Sequence, residues 1–214
     1  MMLLSKMTGY MKALGQRWTE RKKISHLLKL YQQLDQHIAK FQKESGLQCL
    51  QGCGKCCENP NIEITYLDIF PLAEELWSTG QTAFWLERIQ QINSQGPCVF
   101  YKPDPVVAGH GRCSVYPWRP LLCRLFGFSA VQNKHERPAL VTCAVIKERL
   151  AQKVKETQQR LDQGLDVPLM SLYAQKVYNI DPHFGRELLP INRAVQMALE
   201  RIGLKKRLFA KGKN

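Results

Sequence analysis

The sequence predicts a mainly α-helical protein with little β-structure, in which helices brace a loop-rich, cysteine-cluster metal-binding centre. Apolar residues repeat with helical spacing in the first and last thirds of the 214-residue chain. The middle third has frequent Gly and Pro and no long helical period. We therefore expect a basic amphipathic helical extension over 1–46, the cysteine domain over 47–145, and C-terminal helices with a basic tail over 146–214.

The first predicted element is an amphipathic helix from Ile24 onward. Its apolar residues form two series with a spacing of seven, offset by three, as in a coiled-coil seam. The series are Ile24, Tyr31 and Ile38, and Leu27, Leu34 and Phe41. Because they cover fewer than three heptads, we expect this helix to pack on its own chain. Gly46 is predicted to end it.

A short strand is predicted at residues 62–64, after the first cysteines. Thr65 to Asp68 then has the form of a capping box, which opens a helix. Pro71 disrupts this helix unless it begins a second one, whose apolar residues are Leu76, Phe84, Trp85 and Ile89. Residues 94–141 are predicted to be loops and turns, which need something other than a large core to hold them.

Three more helices are predicted towards the C-terminus. The first covers about 142–163 and stops at Gly164, and a shorter one follows Pro168. The third begins near Pro190, and its apolar residues share one face. These residues are Ile191, Val195, Ala198, Leu199 and Ile202.

The expected compartment is the cytoplasm. Lys6 and Lys12 interrupt the apolar residues of the first 18 positions, and no small-residue cleavage site follows, so this stretch is a poor secretory signal. We expect no transmembrane segment, because no window approaches the roughly 18 uninterrupted apolar residues of a span. In a reducing compartment, thiols stay free or bind metal.

The formal net charge of +13 is concentrated at the two ends of the chain. Nine Lys and Arg against three acids lie in residues 1–44, and six against none lie in residues 201–214. Basic termini of this kind can contact nucleic acid or an anionic membrane surface. They are equally found on a solvated helix and a frayed tail, which serve solubility alone.

Four cysteines lie within nine residues, in the pattern C-x3-C-x2-C-C formed by Cys49, Cys53, Cys56 and Cys57. Such short spacings let one turn aim two sulfurs at one point, as in zinc and iron–sulfur sites. Adjacent cysteines rarely converge on one ion, so Cys56 and Cys57 are predicted to bind different metal atoms. Four further candidate ligands follow, and they are Cys98, Cys113, Cys123 and Cys143. Cys143, on a predicted helix, fits a packing role equally well.

Several cations lie beside these cysteines. Four thiolates around one Zn²⁺ carry a formal charge of about −2, and a common cubane state carries the same. Lys55, Arg112 and Arg124 are placed to offset such a charge by donating hydrogen bonds to the ligand sulfurs. Ordinary surface charge explains each of them equally well.

The ordered combination of CLQGCGKCC, IEITYLDIFPLAEEL, a lone Cys98 before Val-Phe-Tyr, and CSVYPWRPLLCRLF resembles the YkgJ-like cysteine-cluster family over about residues 47–145. The resemblance implies a zinc- or iron-chelating domain, commonly described as an iron–sulfur protein. The family pattern corresponds here to Cys49, Cys53, Cys56, Cys57, Asp68, Cys98, Cys113, Tyr116, Arg119, Pro120, Cys123 and Arg124. The first gap has three residues, where many members have two.

These features lead to three hypotheses for function. The first is a metalloprotein with an iron–sulfur cluster, or else zinc, in a redox or accessory role with a redox partner. In it, the eight cysteines are ligands, and Lys55, Arg119 and Arg124 support the ligands. The second is a zinc-structured, non-catalytic module whose basic termini contact RNA or an anionic membrane surface. The third is a methyl-transferring enzyme like the flagellin-lysine methylases, whose cysteine pattern is similar. The sequence leaves open whether the protein is an enzyme.

Overall fold

The computed structural model describes residues 20–92, 96–107 and 110–211, with side chains described as far as residue 204. The first 18 positions and the end of the basic tail lie outside this part. Within it, nine α-helices and three two-stranded sheets make the protein mainly α with little β, as predicted. None of the described helices has the length and hydropathy of a membrane span.

The elements follow one another as short units between long first and last helices. The helices are α1 (Glu20–Ser45), α2 (Lys55–Glu58), α3 (Phe70–Ser78), α4 (Thr82–Gln91), α5 (Leu121–Leu125), α6 (Ala144–Arg149), α7 (Ala151–Asp162), α8 (Met170–Ile180) and α9 (Ile191–Lys211). The strands are β1 (Glu63–Thr65), β2 (Tyr101–Pro103), β3 (Gly111–Cys113), β4 (Ser129–Gln132), β5 (Pro138–Val141) and β6 (Leu188–Pro190). The antiparallel pairs are β1 with β6, β2 with β3, and β4 with β5.

Helix α1 confirms the predicted amphipathic helix. Its buried apolar side chains are Leu27, Leu30, Tyr31, Leu34, Ile38 and Phe41. They pack against α3, α5 and α8 of the same chain. The helix ends before Gly46, whose φ of 71° is a conformation that glycine adopts without strain. One of its neighbours, α5, carries Cys123, so α1 supports the cysteine region directly.

The capping box is confirmed, but the helix predicted to begin at Pro71 is divided in two. The Thr65 hydroxyl accepts a bond of 3.3 Å from the Asp68 N–H, and the Asp68 carboxylate accepts one of 3.2 Å from the Thr65 N–H. Helix α3 then ends in a Schellman motif at Gly80, whose φ is 71°. A new helix, α4, begins two residues later.

The three predicted C-terminal helices are present, and the first of them is divided in two. The helix expected over about 142–163 bends at Leu150, whose φ of −123° and ψ of 34° separate α6 from α7. Gly164, with a φ of 97°, follows the end of α7. Helix α9 buries its predicted apolar face against α3 and α4. Strand β6, just before α9, pairs with the predicted short strand β1.

Candidate metal centre

The cysteine loop between α1 and β1 is a tight turn followed by one turn of helix. Gly52 has a φ of 72°, and the N–H of Cys53 bonds to the carbonyl of Leu50 at 3.1 Å. Helix α2 follows at once and carries Cys56 and Cys57. The loop therefore places its four cysteines on a tight turn and the helical turn that follows it, and their convergence on a metal stays a prediction.

The β2–β3 hairpin packs directly on this loop. The Gly111 N–H bonds to the Gly52 carbonyl at 2.9 Å, and the Tyr101 hydroxyl bonds to the Glu58 carboxylate at 2.6 Å. A Cβ built on Gly54 would lie 2.5 Å from the Tyr101 ring and 2.8 Å from the Gly111 backbone. Only glycine allows the loop and the hairpin to approach so closely.

This packing places Cys98 and Cys113 beside the loop cysteines. The Cys98 N–H bonds to the Cys57 carbonyl at 2.9 Å, and Cys113 ends strand β3 opposite Tyr101. The Cys57 sulfur lies 4.0 Å from the Cys56 sulfur, and Cys57 and Cys113 perturb each other's ionisation. Three cysteines from two distant parts of the sequence thus interact.

The thiols perturb one another's ionisation. The hydrogen bond from Cys57 lowers the pKa of Cys56 to about 6, and a second bond from the same thiol lowers the pKa of Cys113. Hydrogen bonds to Cys113 and Cys56, together with burial, raise the pKa of Cys57. Such shifts are expected where one thiol, Cys57, donates to two sulfurs, Cys56 and Cys113, that ionise to thiolates.

The remaining cysteines belong to the same electrostatic group. Burial raises the pKa of Cys98 to about 12 and also raises the pKa of Cys123, with further contributions from nearby cysteines. Partial burial raises the pKa of Cys49 to about 11, and Cys53, Cys56 and Cys143 add to this effect. The charges of all eight thiols therefore act on one another, directly or through a neighbouring thiol, although the cysteines are spread from position 49 to position 143.

Soft sulfur donors in this number suit zinc or iron, and assembled thiolates need cations to offset their mutual repulsion. The donor set therefore fits a zinc or iron centre. In the part of the chain that the structure describes, no three His, Cys, Asp or Glu side chains already stand in the arrangement of an ion site. Which cysteines are ligands stays a prediction.

Arg119 is the cation that acts on the thiols. Its Nε donates to the Tyr116 carbonyl at 3.2 Å, and its Nη1 donates to the Cys123 carbonyl at 3.3 Å. After the hydrogen bond from Cys57, its charge also lowers the pKa of Cys56 and of Cys113. The predicted supporting role is consistent with this position, although no direct bond from Arg119 to a sulfur is present among the described residues.

Arg124 and Lys55 have other partners. The buried Arg124 guanidinium pairs with Asp35 of α1 and donates to the carbonyls of Arg119 at 2.8 Å and Pro117 at 2.6 Å. Lys55 pairs with Glu58 at 2.7 Å on the surface of α2. Arg124 thus fixes the backbone before Cys123, and a role for either cation beside a bound metal stays a prediction.

Sequence reasoning missed the residues that hold the centre together from a distance. Tyr101 ends the Val-Phe-Tyr stretch of the family resemblance, but no motif marks Glu58, more than 40 positions away, or predicts the bond between them. Asp35 lies on the exposed side of the α1 pattern, so it gave no sign of its bond to Arg124. Asp68 carried a local signal, the capping box, which does not include its bond from Tyr31.

Comparison with known proteins gives one match, to the CxxCxxCC family, described as "Putative zinc- or iron-chelating domain", over residues 48–157. This range covers half of the chain and contains all eight cysteines. The chain belongs to this family. The CxxCxxCC assignment confirms the family resemblance seen in the motifs and supports metal binding in general terms. The three-residue gap between Cys49 and Cys53 departs from the spacing in the family's name.

No curated protein and no solved structure matches the chain.

Proposed function

We propose that the protein binds an iron–sulfur cluster and exchanges electrons, as a carrier or as an accessory to another redox protein. The proposed ligands are drawn from Cys53, Cys56, Cys57, Cys98, Cys113 and Cys123, with Cys49 and Cys143 as further candidates. One observation carries the proposal: thiols from the loop, the hairpin and α5 form a single interacting group. Membership of a zinc- or iron-chelating family supports it.

The number of thiols favours more than one metal atom. A single tetrahedral zinc takes four ligands, and six or more sulfurs exceed this number. Cys56 and Cys57 are adjacent, and their sulfurs lie 4.0 Å apart while Cys57 also faces Cys113. A cluster, in which each thiolate binds its own iron, accommodates adjacent cysteines more easily than one ion does. A pair of zinc ions is the alternative with the same ligand count.

The position of the thiols supports electron exchange. Cys49 and Cys56 are exposed, whereas Cys57 and Cys98 are buried. A cluster held by these residues would lie at the surface with one covered and one open side. A redox centre that exchanges electrons with another protein needs such an open side, whereas a purely structural metal can be enclosed completely.

The test is anaerobic purification, followed by a visible spectrum and quantification of iron, acid-labile sulfide and zinc in the same sample. We expect broad visible absorbance with iron and sulfide in equal amounts. Cys57→Ser should lose the absorbance, because Cys57 lies between two other sulfurs. Ser171→Ala, at an exposed position of α8, is the control and should keep the absorbance, because it lies outside the cysteine region. A colourless protein with stoichiometric zinc overturns the proposal and leaves the zinc-structured binding module.

A further inference from the structure

The open side of the cysteine group contains more than thiols. The Arg119 guanidinium donates to the Cys123 carbonyl at 3.3 Å, and its charge acts on the exposed Cys49 and Cys56. The Tyr116 ring lies against this guanidinium, with 3.6 Å between the Arg119 Cζ and the ring centroid. We name these four residues, Cys49, Cys56, Tyr116 and Arg119, the open edge.

Tyr116 is held at the open edge without being buried. Its side chain is 57% exposed, although a tyrosine usually covers apolar surface. It belongs to the short 3₁₀ helix Tyr116–Trp118, between β3 and α5, which carry Cys113 and Cys123. The backbone on both sides of Tyr116 is therefore fixed by the cysteine region, and the ring is presented to solvent in a defined place.

Arg119 is held rigidly and retains a free donor edge. Bonds from Nε to the Tyr116 carbonyl and from Nη1 to the Cys123 carbonyl fix the plane of the guanidinium. Nη2 has no hydrogen-bond partner in the described part of the chain, and Arg119 forms no ion pair there. Lys55 and Arg124, by contrast, both pair with carboxylates. The open edge thus offers an oriented cation without its counter-charge.

We propose that the open edge is the docking surface for an electron-transfer protein with an acidic face, a proposal that rests on the proposed function. A carboxylate of the partner accepts from Nη2 of Arg119, and partner side chains cover the Tyr116 ring. Tyr and Arg are enriched among residues that dominate binding energy at interfaces. The charge that attracts the partner's carboxylate is that of Arg119, because most of the net charge of +13 lies at the two ends of the chain. One electron passes from the partner's reduced centre to the oxidised cluster, and no bond is formed or broken.

The composition of the edge favours an acidic protein over a nucleic acid. Single-stranded nucleic acid binds along a groove in which several cations follow the phosphates. Among the four residues of the open edge, Arg119 is the one cation, which matches one carboxylate of a protein and not a row of phosphates. Electron-transfer complexes also typically have small and transient interfaces, and a surface of four residues suits an interface of this kind.

The experiment measures electron transfer from a reduced acidic ferredoxin to the cluster-loaded protein by stopped-flow absorbance. Tyr116→Ala should lower the second-order rate about tenfold, the effect of one interface aromatic. Tyr116→Phe keeps the ring against Arg119 and should keep the rate. Tyr178→Ala removes another partly exposed tyrosine, on α8, and is the matched control. Iron content, reduction potential and the rate with dithionite should be equal in all four proteins.

Each outcome decides between specific alternatives. The wild-type rate should fall as salt rises, because opposite charges steer the encounter. An unchanged rate for Tyr116→Ala, or a faster reaction with a basic cytochrome than with the acidic ferredoxin, overturns the open edge as an acidic-partner site. So does weaker binding of a single-stranded RNA oligonucleotide by Tyr116→Ala with unchanged electron transfer. Wild-type protein that binds zinc alone overturns the proposed function itself.

Discussion

The Tyr31 hydroxyl donates a hydrogen bond of 2.7 Å to the carboxylate of Asp68, and both side chains are buried. Tyr31 belongs to α1, and Asp68 belongs to the capping box before α3. The Leu121 backbone amide favours the ionised form of the same carboxylate, and Leu121 begins the helix that carries Cys123. The Arg124 guanidinium lies over the Tyr31 ring at 4.7 Å. This buried contact therefore joins the N-terminal helix to the backbone of the cysteine centre.

Asp68→Ala should reduce the stability of the whole protein. The substitution removes the carboxylate that accepts from the Tyr31 hydroxyl and from the Thr65 hydroxyl and N–H, and it leaves Tyr31 only the longer bond of 3.3 Å to the carbonyl of residue 68. Poorly paired buried donors are costly. We expect the free energy of unfolding to fall by about 3 kcal/mol, measured by urea denaturation of the metal-free protein. Glu148→Ala, at an exposed acid of α6, is the control and should change it by less than about 0.5 kcal/mol. Equal losses in the two variants would contradict a special role for Asp68.

The stability contributed by Asp68 should depend on pH. Burial raises the pKa of Asp68 above its ordinary value, although bonds from Thr65 and Tyr31 oppose the shift. A raised pKa in the folded state means that this contribution is complete at acidic pH and decreases as pH rises through the folded-state pKa. Asp68→Asn mimics the protonated acid and lacks this titration. Wild-type protein should therefore lose stability relative to Asp68→Asn between about pH 4 and neutrality.

Urea denaturation of the two proteins across this pH range measures the difference. Because both keep every other titratable group, including Arg124 beside Tyr31, their difference isolates residue 68. A constant difference at all pH values would show that Asp68 keeps an ordinary pKa in the folded protein.

Local patterns in the sequence were sufficient for the long helices. They were not sufficient for α5 or for the hairpins β2–β3 and β4–β5, which lie in the stretch 94–141 that was predicted to be loops and turns. The spacing of Leu27, Leu34 and Phe41 predicts a buried helix face because the α-helix repeats every 3.6 residues. The division at Gly80 was missed because the apolar pattern continues across it, whereas the chain direction changes at a left-handed glycine. The apolar pattern shows which residues are buried, but it does not show where the chain changes direction.

The assembled centre depends on contacts that no local pattern contains. Cys113 meets Cys57 because Tyr101 packs over Gly54 and Gly111, and this fit depends on tertiary shape. Lys55 shows the opposite case. Its position beside cysteines predicts a role near the metal, but Glu58, three residues later on the same helical turn, is a closer partner.

The two exposed thiols should differ in reactivity in the metal-free protein. Hydrogen bonding from Cys57 lowers the pKa of Cys56 to about 6, whereas partial burial raises the pKa of Cys49 to about 11. Cys56 is then mostly thiolate at neutral pH, and Cys49 is mostly thiol. Although a thiolate of low pKa is a weaker nucleophile, Cys56 should react with iodoacetamide roughly tenfold faster at pH 7.5.

Peptide mass spectrometry of samples quenched between pH 5 and pH 9 gives both rates. The Cys56 rate should reach a plateau just above pH 6, and the Cys49 rate should still rise at pH 9. Cys57→Ala removes the donor and should move the Cys56 plateau to higher pH. Coincident pH profiles for Cys49 and Cys56 in wild-type protein would contradict the hydrogen-bonded thiolate.

Gly54→Ala and Gly111→Ala should affect the centre to different degrees, although both add a methyl group at the contact between loop and hairpin. The added Cβ at Gly111 meets the Tyr101 ring at 2.4 Å, which a rotation of that ring relieves, whereas the Cβ at Gly54 also meets the Gly111 backbone at 2.8 Å. Gly54→Ala should therefore cost about 1–3 kcal/mol and separate Cys57 from Cys113. Gly111→Ala should lower metal content less in a Tyr101→Ala background than in the wild-type one, whereas Gly54→Ala should lower it in both, because only the first clash lies entirely with a side chain. Metal analysis and urea denaturation of the single and double variants, each compared with its own background, test this. Equal relief of both substitutions by Tyr101→Ala would mean that the loop and hairpin backbones are not in the close contact described.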